Sequence, residues 1–146
     1  MKSIFILLVS ILFVVFTANI LIAENEYTAT ANEELFGIWI NMDYQESTKT
    51  RSPQKYILKL GEGELYASVN DTEPLWTEEI SISHKWTDAE GNIWYKYRWN
   101  AGLIGSNFVL SKISESGKTF EYTMSQWEYP KAIDHNHDTY RIYFRH

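Results

Sequence analysis

The fold class is decided by the segment IWYKYRWN, residues 93–100. Its side chains alternate: one face of an extended chain carries Ile93, Tyr95, Tyr97 and Trp99, and the other carries Trp94, Lys96 and Arg98. A period of two residues is that of a β-strand with one buried face. We therefore predict a strand whose first set of side chains points into a core.

Similar segments lie on both sides of this strand. They are rich in β-branched and aromatic residues and are separated by turn residues, and they cover residues 36–42, 55–60, 64–69, 76–86, 106–114, 119–127 and 139–145. Glycine-containing turns indicate hairpins, so successive strands are expected to be antiparallel neighbours. Eight such strands can form a sandwich or a barrel. Because closure leaves no unpaired edge, we predict an all-β, eight-stranded, antiparallel up-and-down barrel.

Composition excludes several classes of protein. The 146 residues suffice for one domain, and the formal charge of -6 argues against nucleic acid as a partner. There are no cysteines, which excludes disulfides, thiolate metal sites and attachment of lipid through a cysteine.

The first part of the chain resembles a targeting signal. Lys2 precedes a nearly continuous apolar run, so we predict a signal peptide over 1–23, a flexible tether over 24–34 and the barrel domain over 35–146. Cleavage can also follow Ala18 or fall in the triplet Ala29 to Ala31. The protein is then secreted or periplasmic. Contact with a membrane is expected only if the signal stays uncleaved as an anchor.

Two positions carry a resemblance to a known family. Gly37-Ile38-Trp39 matches the Gly-x-Trp that opens the barrel of lipocalins, and Arg145 stands where that family places a basic residue over this tryptophan. The chain from residue 35 to 146 thus resembles a bacterial lipocalin-like protein of the wider calycin group. The resemblance implies that Trp39 and Arg145 close the barrel, by a cation–π contact of about 0.5 to 2 kcal/mol. The chain departs from the family in two respects: it has no Thr-Asp-x-Tyr motif of the kind many lipocalins carry, and no clear C-terminal helix.

Alternation predicts the residues that line the interior. The ligand-facing wall is expected to comprise Trp86, Tyr95, Tyr97, Trp99 and Tyr122. In the last strand two arrangements are open: either Tyr140, Ile142 and Phe144 point inward, or Arg141, Tyr143 and Arg145 do. The second resembles fatty-acid-binding proteins, in which an Arg-x-Tyr grips a carboxylate, so Arg141 and Tyr143 are candidate polar contacts.

Catalytic and metal-binding signatures are weak. The chain has neither the Gly-x-Ser-x-Gly motif nor a glycine-rich phosphate loop, and His84 is the one general-base candidate expected to face inward. The Asp134-His135-Asn136-His137-Asp138 run contains metal-ligating residue types, but it is read more simply as a solvated turn. We therefore expect no enzyme activity, no cofactor and no metal.

These observations predict noncovalent binding of a small hydrophobic or amphipathic molecule inside the barrel. The interior can also be a filled core, since pockets and cores share this composition. In that alternative the filled barrel is a surface interaction or inhibitor module for another macromolecule of the envelope or a host, with Trp94 and Trp127 as anchors on its outer surface.

Overall fold

A computed structural model describes residues 27–41, 55–66, 72–100, 105–136 and 141–146. Within them eight strands form a closed antiparallel barrel in sequence order, which confirms the predicted fold class. The strands are β1 (Gly37–Ile40), β2 (Lys55–Lys59), β3 (Glu62–Tyr66), β4 (Trp76–Thr87), β5 (Ile93–Asn100), β6 (Ser106–Ile113), β7 (Thr119–Ser125) and β8 (Arg141–Arg145). No helix of the described residues is long and apolar enough to cross a membrane. The predicted signal, residues 1–23, lies outside the described residues.

The two ends of the barrel differ in their connections. At the turn end, short turns join β2 to β3, β4 to β5 and β6 to β7, and the N-terminal segment 27–36 lies there. The opposite end, where β2, β4, β6 and β8 begin, is called the loop end below. Trp39 lies near the turn end, where its indole Nε1 donates to the carbonyl of Leu35 in the N-terminal segment at 2.9 Å.

The first and last strands close the barrel. Trp39 pairs in register with Arg145, and Ile40 with Phe144. The Arg145 guanidinium lies 4.1 Å from the centre of the Trp39 ring, so the contact expected between these two residues is present. Tyr143 is fully buried and Phe144 is 38% exposed, which selects the second of the two arrangements of the last strand.

Gly37 makes this closure possible. Its φ is +142°, in the region that favours glycine. A Cβ at this position would lie 2.6 Å from Nη1 of Arg145. The guanidinium also donates to the carbonyls of Phe36 at 3.1 Å, Glu34 at 2.5 Å and, through Nε, Gly117 at 2.9 Å. Gly37 therefore leaves the space in which the Arg145 guanidinium contacts both the indole and these three backbone carbonyls.

The interior is packed with aromatic rings. Neighbouring rings contact one another at centroid distances such as 5.2 Å between Tyr56 and Trp99 and 5.3 Å between Trp39 and Phe120. Such pairs contribute about 0.5–1.5 kcal/mol each beyond their buried area. The fully buried large side chains include Trp39, Tyr56, Tyr95, Tyr97, Phe120 and Tyr143. The predicted aromatic interior is thus the main source of packing in this barrel.

A register shift in β4 changes which side chains face inward. Ile82 pairs with Tyr97, but His84 pairs with Lys96, so Ser83 is an additional residue in β4. Beyond such a bulge every side chain moves to the opposite face. The prediction that Trp86 and His84 face the interior is therefore wrong: both are exposed, and Lys85 faces inward instead, opposite the buried Tyr95.

Gly63 is closely packed against the interior and gives a test of the packing. A Cβ there would lie 2.6 Å from the Tyr56 hydroxyl and 3.0 Å from Cδ1 of Ile80. We expect Gly63→Ala to lower the free energy of unfolding by about 1–3 kcal/mol through overpacking, as measured by urea denaturation. Tyr56→Phe should restore part of that loss in the double variant. Additive effects of the two substitutions would contradict the proposed contact.

Candidate functional site

Five of the seven predicted ligand-facing residues have described side chains inside the barrel. Tyr95, Tyr97, Trp99, Tyr122 and Tyr143 are all buried there. Trp99 is central, with ring centroids 6.0 Å from Tyr97 and 5.2 Å from Tyr122. Trp86 lies outside, as described above. Arg141 pairs in register with Tyr122, but its side chain is outside the part that the structure describes.

Polar atoms without partners are buried among these rings. Neither the Tyr56 hydroxyl nor Nε1 of Trp99 has a hydrogen-bond partner among the described residues. The hydroxyls of Tyr97 and Ser111 are buried close to each other. Within that part of the chain neither forms a hydrogen bond of normal geometry. Leaving such a group unpaired costs about 1–3 kcal/mol, so in native proteins such groups usually meet a water or a ligand. We call Tyr56, Tyr97 and Trp99 the interior polar cluster.

A carboxylate lies close to this cluster. Glu78 pairs with Gly63, and one of its carboxylate oxygens is buried. Burial raises the pKa of both the Tyr56 and the Tyr97 phenols well above the usual value, and the nearby charge of Glu78 adds to the effect. Both phenols are therefore neutral at physiological pH and can each donate one hydrogen bond and accept others.

A second polar cluster occupies the turn end. Lys85 Nζ lies 2.9 Å from a Glu33 carboxylate oxygen and 2.5 Å from one of Glu34. The Tyr95 hydroxyl is within hydrogen-bond distance of the same two oxygens, at 2.9 and 2.7 Å. Tyr27 also donates to Glu33. The end of the predicted tether thus contacts the barrel at Lys85 and Tyr95, contacts that the sequence did not suggest.

The pKa of Glu33 reflects these contacts. Burial alone would raise it, but hydrogen bonds from Tyr27, the Thr30 amide, Lys85 and Tyr95 outweigh burial and lower it to about 2. In the same way the pKa of Glu34 is lowered, and that of Lys85 is raised. All three groups are charged at neutral pH. The turn-end cluster is therefore a partly buried ion-pair network, with Glu33 buried and Glu34 exposed, that fastens the N-terminal segment to the barrel.

A cleft lies on the outer surface of the barrel. It has a volume of about 530 Å³ and is lined by Trp86, Asp88, Trp94, Lys96, Leu110, Tyr129, Pro130 and Lys131. Trp86 and Trp94 stack with centroids 5.8 Å apart and an interplanar angle of 8°. On the other side Tyr129 packs edge-on against Phe108 at 5.0 Å. The sequence suggested Trp94 as an outer aromatic, but only the bulge in β4 brings Trp86 beside it.

The remaining candidates show no assembled chemistry. The structure places His84 on the surface, where its Nδ1 lies 2.9 Å from the Ser83 hydroxyl. His135 approaches Glu121 at 4.0 Å, whereas His137 and Asp138 are outside the described residues. Within the described ranges no three histidine or carboxylate residues are grouped so as to hold a metal ion.

Comparison with known proteins does not extend the sequence resemblance. No family model, curated protein or solved structure matches the chain. The closed eight-stranded barrel is compatible with a lipocalin-like fold, and such barrels can hold one small ligand.

The turn-end cluster predicts a specific response to acid. Because the pKa of Glu33 is about 2 in the folded state against an ordinary 4.5, its stabilising contribution is present above pH 4.5 and is lost as the pH falls toward 2. We expect Glu33→Gln to reduce the free energy of unfolding by about 2 kcal/mol at pH 7 and by much less at pH 2.5.

Urea unfolding at several pH values measures this difference. Glu62→Gln is the matched control, because Glu62 is exposed at the start of β3. An equal loss of stability for Glu33→Gln at both pH values would show that the ion-pair network does not exist.

Proposed function

We propose that the protein is a lipocalin-like binding protein of the calycin group, which holds a small amphipathic molecule noncovalently inside its barrel. The observation that carries this proposal is the interior polar cluster: Tyr56 and Trp99 bury polar atoms that have no partner among the described residues. An occupant that accepts from the indole and exchanges a hydrogen bond with the phenol would remove the cost of these unpaired atoms.

The surroundings define the chemistry of the ligand. Aromatic rings favour a flat, largely apolar body, and neutral phenols favour a hydroxyl, carbonyl or amine. Glu78 places a negative charge near the same phenols, which disfavours an occupant whose only polar group is a carboxylate. Arg141, which begins β8 at the loop end, and the buried Tyr143, which pairs with Phe120, remain candidate contacts. Tyr95 serves as wall, because its hydroxyl is engaged by Glu33 and Glu34.

The role fits an exported protein. The predicted signal over 1–23 and the proposed carriage of an apolar molecule are consistent with a secreted or periplasmic binding protein that performs no catalysis. Without a ligand, an interior water can satisfy the same polar atoms, so the barrel need not collapse when it is empty.

Binding in the barrel can be tested by native mass spectrometry with organic extraction, on protein purified from the envelope or medium of the cells that make it. We expect the wild type to carry one small molecule per chain and Tyr56→Phe to carry much less, since one hydrogen bond contributes about 0.5–1.5 kcal/mol. In ligand-free protein the free energy of unfolding should not fall, because Tyr56→Phe removes a buried hydroxyl that has no partner among the described residues.

Tyr66→Phe is the control. Tyr66 follows the inward-facing Leu65 in β3, so alternation places its ring on the outer face of the sheet, where the Lys55 ammonium lies 4.2 Å from the ring centre. A bare wild-type mass, or equal loading of wild type and Tyr56→Phe, would contradict binding at the interior polar cluster.

One observation favours a second candidate, a surface that binds another macromolecule. Trp127 is 86% exposed, and exposed aromatic side chains are common anchors of interfaces. In this reading the barrel is a filled scaffold, and the segment after β7 presents the anchor.

We expect Trp127→Ser to abolish capture of such a partner while leaving the melting temperature unchanged, because the side chain is almost entirely in solvent. Pull-down from envelope extracts together with a thermal melt measures both. A partner retained equally by Trp127→Ser would eliminate Trp127 as an anchor.

A further inference from the structure

The outer cleft has the features of a ligand site that is separate from the barrel interior. Its volume of about 530 Å³ falls within the 300–1,000 Å³ of typical small-molecule sites, which combine apolar walls with a few polar groups. Leu110, only 2% exposed, forms an apolar floor, and Tyr129 with Pro130 forms one wall.

The opposite wall is held rigidly. Nε1 of Trp94 donates to Oδ2 of Asp88 at 2.8 Å, and Asp88 also accepts from the amides of Glu90 and Asn92. Hydrogen bonds from Trp94 and Asn92 are the main cause that lowers the pKa of Asp88 to about 2, so its charge persists at all physiological pH values. Trp86 stacks on this fixed indole. The wall is therefore formed before any ligand arrives.

Tyr129 is fixed as well. The Ser83 hydroxyl lies 2.9 Å from the Tyr129 hydroxyl and 3.1 Å from the Lys96 carbonyl. The bulge residue thus fastens the segment after β7 across the outer face of β4, β5 and β6. Both aromatic walls depend on the bulge, one through the placement of Trp86 and the other through Ser83 itself.

The charge inside the cleft is positive. Lys96 places its ammonium 5.8 Å from the centre of the Trp86 ring and 5.7 Å from that of Tyr129. Within the described residues Lys96 forms no ion pair, whereas the neighbouring Lys112 is paired with Glu121 at 3.3 Å. Lys131 adds a second ammonium to the lining. The Asp88 carboxylate is already saturated by donors, so the cleft offers cations and aromatic faces to an incoming group.

We propose that this cleft binds a small planar anion, an aromatic ring system that bears a carboxylate, with the ring between the two aromatic walls and the carboxylate on Lys96. Stacking on indole and phenol selects the flat body. The ammonium selects the charge, because a charge-assisted hydrogen bond is about twice as strong as a neutral one. In a chain of net charge -6, this local cation is what allows an anion to bind at all.

The proposal can be tested with 2-naphthoate as probe and its uncharged analogue 2-naphthamide as comparison. NMR titration should perturb the indole N–H signals of Trp86 and Trp94 saturably, and 2-naphthamide should bind about tenfold more weakly, since it lacks the charge. Glucuronate, which has a carboxylate but no aromatic face, should also bind at least about tenfold more weakly.

Variants separate the charge from the fold. Lys96→Met keeps the aliphatic stem and should weaken 2-naphthoate about tenfold, whereas Lys59→Met, on β2 and outside the lining of the cleft, should leave its affinity unchanged. Tyr56→Phe should also leave it unchanged, so this site and the interior of the barrel can fail independently. Equal affinity for 2-naphthoate and 2-naphthamide, equal affinity of Lys96→Met and wild type, or perturbation centred on Trp99 would overturn the proposal.

Discussion

The single additional residue in β4 is the constraint on which both polar features of the barrel wall depend. Before Ser83 the even-numbered side chains of β4, such as Ile80 and Ile82, face the interior; after it the odd-numbered ones do. This inversion places Lys85 inside, where it meets Glu33 and Glu34, and Trp86 outside, where it stacks on Trp94. A bulge-free β4 would turn Trp86 toward the interior and would leave the buried Glu33 and the exposed Glu34 without Lys85.

The same bulge explains why the sequence predicted the barrel better than the site. Strand number, order and aromatic interior follow from alternation, which holds through β5 in the structure. The stretch around Ser83, Ser-Ile-Ser-His-Lys, keeps an alternating pattern with no glycine to mark a bulge. The register is set instead by contacts between distant residues, since Ser83 bonds with Lys96 and Tyr129. Alternation without the bulge therefore predicts the wrong face for Trp86 and His84.

Buried charges were missed for a related reason. Glu33 and Glu34 are adjacent in a polar segment, and Glu78 and Glu79 are adjacent in a strand, so both pairs look like solvated charges in the sequence. In the structure Glu33 is 5% exposed because an inward lysine and a tyrosine satisfy it. Glu78 pairs in register with Gly63, and one of its carboxylate oxygens is buried. Burial of a carboxylate depends on partners that only the fold brings together. The Trp39–Arg145 contact was predictable because antiparallel closure of the first and last strands fixes its neighbours.

The interior and the outer cleft share one strand yet differ in electrostatic character. Along β5, Tyr97 and Trp99 face the interior beside the negative Glu78, whereas Trp94 and Lys96 face the cleft beside the positive Lys131. Sequence separation between the two faces is one residue, but the sheet lies between them. A molecule that suits neutral phenols near a carboxylate does not suit an ammonium between two aromatic walls, and the converse holds as well. The alternation of β5 therefore allows two sites of opposite charge preference in one small barrel. A substitution at an inward-facing position of β5 changes the interior site and leaves the contacts of the cleft intact, and a substitution at an outward-facing position does the reverse.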